Sequence, residues 1–142
     1  MKIALISLVL ILLGMQFIQV DRTNPEFDKS KEIVLPEHIK PLIQAACYDC
    51  HSYETKWPWY SAIAPMSYSV SKNVEHARQG LNFSLWEDYD DATKHDKMKE
   101  IFRAAYAAMP LRDYVRFHSE ADLTTEQRAI IRTWAKEIID NK

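Results

Sequence analysis

The chain of 142 residues contains two cysteines, and both fall within one five-residue stretch, Cys47-Tyr48-Asp49-Cys50-His51. No separate disulfide framework can therefore shape the fold, and whatever the thiols do they do together beside an imidazole. Cys-x-x-Cys-His is the attachment pattern of c-type haem. Two thiols three positions apart occupy neighbouring points of one helical turn, where they can add to the two vinyl groups on one edge of a haem. The next residue then sets an imidazole beneath the iron as proximal ligand. Two other readings use the same residues. A bare Cys-x-x-Cys can be a dithiol redox pair, and Cys/Cys/His can give three ligands to zinc. The first expects a preceding strand in a βαβ setting and the second a further ligand from another knuckle, and neither is evident.

The length suits one domain, and a formal net charge of −2 with acids and bases interspersed leaves no basic stripe for a phosphate backbone. Nucleic acid is not an expected partner. Four tryptophans and seven tyrosines suit a domain that wraps a large, flat, apolar ligand. At the N-terminus Lys2 precedes the uncharged run Ile3 to Val20, which as a continuous helix measures about 27 Å at about 1.5 Å per residue. That approaches the roughly 30 Å hydrocarbon thickness of a bilayer. No small-x-small cleavage site follows, so a retained anchor is favoured over a cleaved signal. The expected organisation is a membrane anchor or signal over residues 1–20, a polar linker over 21–35 and a folded domain over 36–142. Lys2 would stay inside and the domain would stand on the periplasmic side of the cytoplasmic membrane, or be exported if the segment is cleaved.

The rest of the chain reads as helices, making an all-α domain. Ile39, Leu42, Ile43 and Ala46 share one face of a helix over 36–46, although Pro41 threatens to break it. After the aromatic loop Trp57-Pro58-Trp59-Tyr60, Pro65 opens a helix whose stripe is Met66, Val70, Val74, Ala77 and Leu81, with Gly80 at its end. Asp90 or Asp91 caps a third helix carrying Met98, Ile101, Phe102, Ala105 and Tyr106, which stops before Met109-Pro110. Thr124 to Gln127 is a capping box before Ile130, Ile131, Trp134, Ala135 and Ile138, a face expected to pack against the helix that carries the cysteines. Met109, in an extended segment stiffened by proline, offers a soft thioether suited to haem iron, ahead of Met66, His118 and His76. Trp57, Trp59 and Tyr60 are expected to wall the haem edge and donate to a propionate.

Cys47 to Ser52, Trp57 to Tyr60, Ala64-Pro65, Asn82-Phe83-Ser84 with Trp86, Met109-Pro110, His118 and Leu123 to Trp134 together resemble the small haem-binding domain family of exported bacterial proteins, which are monohaem and c-type cytochrome-like. The resemblance covers roughly residues 25 to 140. It implies a cytochrome-c-like helical fold around one covalent haem c, thioethers at Cys47 and Cys50, His51 as proximal and Met109 as distal ligand. On this reading the iron bears His51 and Met109 and has no open position, which favours an electron carrier exchanging single electrons with redox partner proteins over an enzyme. A peroxidase or gas sensor with an open distal site, and a haem-free thiol-disulfide oxidoreductase, are the alternatives.

Overall fold

The computed structural model describes residues 1–141, and among them the regular elements are all helical. Seven α-helices follow in order: α1 (Lys2–Met15), α2 (Lys40–Ala46), α3 (Tyr48–His51), α4 (Met66–Gly80), α5 (Asp91–Ala107), α6 (Arg112–Val115) and α7 (Thr125–Asp140). Short 3₁₀ turns lie between them at Lys29–Lys31, Trp59–Ala62, Phe83–Asp88 and Ser119–Ala121. α2 tolerates Pro41 because it begins at Lys40, so the proline occupies the first turn, where its missing N–H has no intrahelical partner to lose. Asp90 caps α5 by accepting from the Thr93 amide at 2.7 Å. Thr124 and Gln127 cap α7 reciprocally, at 2.9 and 3.2 Å.

α5 and α7 form the main helix pair, and α7 touches α2 more lightly. This corrects the expected partner of α7. Ile131, Trp134 and Ala135 turn inward against Met98, Ile101 and Ala105, while Ile130 and Ile138 are exposed. Ile39 and Ile43 of α2, Tyr48 of α3, and Phe83 and Trp86 of the 83–88 turn complete one continuous core. Tyr48 and Phe83 stack at 5.3 Å between centroids, which pins the cysteine-bearing turn to that core.

The N-terminal quarter departs from expectation. α1 ends at Met15, so it is about 21 Å long at about 1.5 Å per residue, and no described helix is long and apolar enough to cross a membrane. Gln16, the residue after the helix, fastens its end to the domain. Its amide side chain donates to the Ala64 carbonyl at 3.1 Å and accepts from the Ala64 amide at 3.0 Å, diverting the chain onto the domain. Residues 21–35 do not hang free either. Ser71 donates to the Asp21 carbonyl at 2.8 Å, and Arg78 reaches the Thr23 carbonyl and the Asn24 side chain at 3.1 and 2.8 Å. Further on, the Ile33 amide bonds the Phe83 carbonyl at 2.9 Å. The segment is laid along α4 and into the core because α4 and its neighbours supply partners for its backbone.

Candidate functional site

The cysteine stretch straddles the joint between α2 and α3. Cys47 leaves helical geometry (φ −129°, ψ −36°), and the single turn of α3 then carries Cys50 and His51. The His51 amide returns to the Cys47 carbonyl at 2.9 Å, so the three side chains stay within one tight turn. All three face a cavity of about 720 Å³, which is bounded by α2 and α3, by α4 and α5 toward their C-terminal ends, and by the segment Met109–Leu111. That volume lies in the range of cofactor sites, about 300–1,000 Å³.

His51 is held in one chemical form. Its Nδ1 lies 3.0 Å from the Leu81 carbonyl, which can only accept, so Nδ1 carries the proton and Nε2 keeps a free lone pair. Desolvation by burial pushes the imidazole below its ordinary value of 6.5, against the smaller upward pull of the Leu81 and Ala77 carbonyls. The ring is therefore neutral at pH 7, the form that binds a metal. This imidazole-to-carbonyl bond is the usual support of a ligating histidine, and it fixes the ring's rotation as well as its tautomer. Spacing alone could not show it, because the acceptor is a backbone atom thirty positions away.

Both cysteines are free and half-buried. Burial raises Cys47 to about 12 and Cys50 to about 11. A redox dithiol needs a lowered thiol value, usually from a helix N-terminus or a nearby cation. Here burial outweighs the downward pull of Arg128 on Cys47 and of Arg78 on Cys50, so neither thiol is activated. The two residues between them anchor the turn: Tyr48 is in the core, and Asp49 accepts from the Tyr114 hydroxyl at 2.8 Å and from the Lys56 amide at 3.1 Å. Tyr114 itself lines the cavity, so Asp49 ties α6 to the cysteine turn.

Met109 reaches the same cavity from the end of α5. Its amide bonds the Ala104 carbonyl at 3.0 Å, and its carbonyl accepts from Arg128 at 2.6 Å. Arg128 also donates to the Ala105 and Leu123 carbonyls, both at 3.2 Å, so one guanidinium fastens the segment bearing Met109 to α5 and α7. Nothing in the residue pattern signalled Arg128, Asp49 or Tyr114. His76 lines the cavity too, whereas His118 lies elsewhere, stacked on Tyr114 and bonded to Tyr60 and Glu120.

The structure does not bring the expected aromatic wall to this cavity. Trp57, Trp59 and Tyr60 are not among the residues lining this cavity. Pro58 stops any helix, and the turn that follows folds against α4. Trp57 instead borders a second cleft, of about 580 Å³, between α4 and residues 20–25, where its indole N–H is buried without a hydrogen-bond partner. Trp59 is 73% exposed, and the Tyr60 hydroxyl is 3.0 Å from His118 Nε2.

The donors in the cavity suit one kind of guest. Among the described residues no three His, Cys, Asp or Glu side chains converge to hold a bare ion. One neutral imidazole, two thiols and a thioether around an apolar space match a metal that brings its own equatorial donors. A family model described as a haem-binding domain matches residues 10–137. The chain belongs to that family. The match agrees with the donor set and runs through residues 21–35, which the hydrogen bonds above make part of the haem-binding domain. No curated protein and no solved structure matches the chain.

Proposed function

We propose that this haem-binding domain is a monohaem c-type electron carrier, tethered by its N-terminal segment to the periplasmic face of the cytoplasmic membrane. Cys47 and Cys50 would hold one haem as thioethers, with His51 and Met109 as axial ligands. The observation that carries this reading is the tethered imidazole of His51, its Nε2 left bare beside two free thiols in a cavity that Met109 also enters. Bound haem supplies a one-electron couple at its iron.

The protein's own contribution is to orient and to exclude water. The Leu81 carbonyl fixes the His51 ring, Arg128 fixes the Met109 backbone, and Ile43, Phe83, Ile101 and Ile131 give the cavity an apolar lining. With His51 and Met109 both holding the iron, no site would be left for peroxide or a gas, which would favour transfer over turnover. The raised thiols argue against a dithiol oxidoreductase.

Full-length protein made in a host that matures haem c tests this directly. The denatured chain is expected to retain the mass of one haem, and the oxidised protein to show a low-spin spectrum with the weak long-wavelength band of thioether ligation. Met109→Ala should abolish that band and give high-spin iron. A chain with no covalent haem would remove the reading, and an unchanged Met109→Ala spectrum would remove Met109 from it.

A further inference from the structure

Most of the exposed large apolar residues lie on α1 and near the Gln16–Ala64 contact, and none of these lines the cavity. No residue of α1 is buried, and Phe17 and Ile18 beyond it are 88% and 57% exposed. The double hydrogen bond between Gln16 and the Ala64 backbone brings these residues beside the stretch Trp59–Met66, where Trp59, Ile63 and Met66 are also exposed. Exposed apolar residues of two segments nearly fifty positions apart thus flank the Gln16–Ala64 joint as an apolar collar at the foot of α1. From that foot the chain climbs α4 in order, Gln16 to Ala64, Asp21 to Ser71 and Thr23 to Arg78, so Ala64 and Met66 mark the helix end of the domain.

We infer that this collar is a lipid-seating surface: Trp59, Ile63, Met66, Phe17 and Ile18 enter the interfacial layer of the bilayer that receives α1. The inference rests on the tethered reading above and adds to it a fixed contact between the domain and the lipid. The argument is one of length. α1 measures about 21 Å, about 9 Å short of a hydrocarbon core of roughly 30 Å. A free linker could leave that shortfall to water, but Gln16 is clamped to Ala64, so drawing α1 into lipid draws the collar down with it. Tryptophan beside aliphatic side chains is the composition suited to that layer, where an apolar ring body lies in lipid and its N–H stays wet.

Nitroxide labels placed by Ile63→Cys, and in a separate chain by Thr133→Cys on α7, read this in full-length haem-loaded protein mixed with vesicles of phosphatidylethanolamine and phosphatidylglycerol. The unsubstituted chain is the blank, since its own cysteines should be thioether-bound. Flotation with the vesicles reports the tether, and relaxation by oxygen against a water-soluble nickel chelate reports depth. The seating surface predicts flotation of both, with the label at 63 relaxed mainly by oxygen and the label at 133 by nickel. A floating chain whose label at 63 is as nickel-accessible as that at 133 overturns the seat and leaves the tether standing. Dipolar broadening at 63 overturns the seat in favour of a second copy of the chain covering the collar. A chain that does not float overturns the seat and the tether together.

Discussion

Burial of the His51 ring, which outweighs the upward pull of the Leu81 carbonyl, gives the haem-free chain a pH dependence. In the unfolded chain the imidazole takes up a proton as pH falls through its ordinary value of 6.5, whereas the buried ring resists until lower pH. The unfolded state then binds more protons, so stability contributed by the neutral ring is complete above 6.5 and is lost as pH falls through the lower, folded value. Denaturant midpoints measured at about pH 7.5 and about pH 5.5 should fall with acidification, and His51→Gln should flatten that slope. Arg128 gives a second expectation. Arg128→Ala leaves the Met109, Ala105 and Leu123 carbonyls without this donor, for a loss of about 1–3 kcal/mol by urea titration. If Arg128 also positions Met109, the thioether band should weaken while the covalent haem is kept. A destabilised variant with an unaltered band would reduce Arg128 to a purely structural role.

Among the elements, the α5–α7 pair is the part of the core on which the cavity wall is built. Ile131 is 1% exposed and also borders the cavity, so Ile131→Ala should cost about 2–5 kcal/mol in unfolding free energy and lower haem retention. Thr124→Ala removes only the cap of α7 and should cost about 1 kcal/mol, with the haem spectrum unmoved. These helices were legible in the sequence because their signals are local: apolar residues at helical spacing, a capping box, a proline that lands in a first turn. The Cys-x-x-Cys-His turn was legible for the same reason. The partners that aim it were not. Leu81 acts through a carbonyl, which every residue has, and Arg128 reads as one more surface cation until the fold sets it under Met109. Trp57, Trp59 and Tyr60 show the opposite failure. Their apolar character was visible, but which surface they face depends on how the turn after Pro58 packs on α4. The clamp at the end of α1 was hidden likewise, since Gln16 is one polar residue in an apolar run and finds its partner only when the fold sets Ala64 beside it.

For the whole molecule, the docking of residues 21–24 along α4 makes one body of what composition divides into spacer and domain. Arg78 is the main fastening, bonded to Thr23, Asn24, Ser52 and Thr55 together. Arg78→Ala should therefore expose the N-terminal segment, seen as faster tryptic cleavage after Arg22 and Lys29 by mass spectrometry, while cavity spectra stay close to those of the unsubstituted protein. Equal cleavage rates would mean the segment is secured by its other contacts. α4 also acts as a ruler. It runs about 22 Å at about 1.5 Å per residue from Met66 at the foot of the domain to Gly80 at the cavity rim. Under the proposed seating, a haem held against the Asn73–Gly80 half of α4 would stand off the bilayer, and its edge would face proteins diffusing in the aqueous compartment more readily than carriers dissolved among the acyl chains.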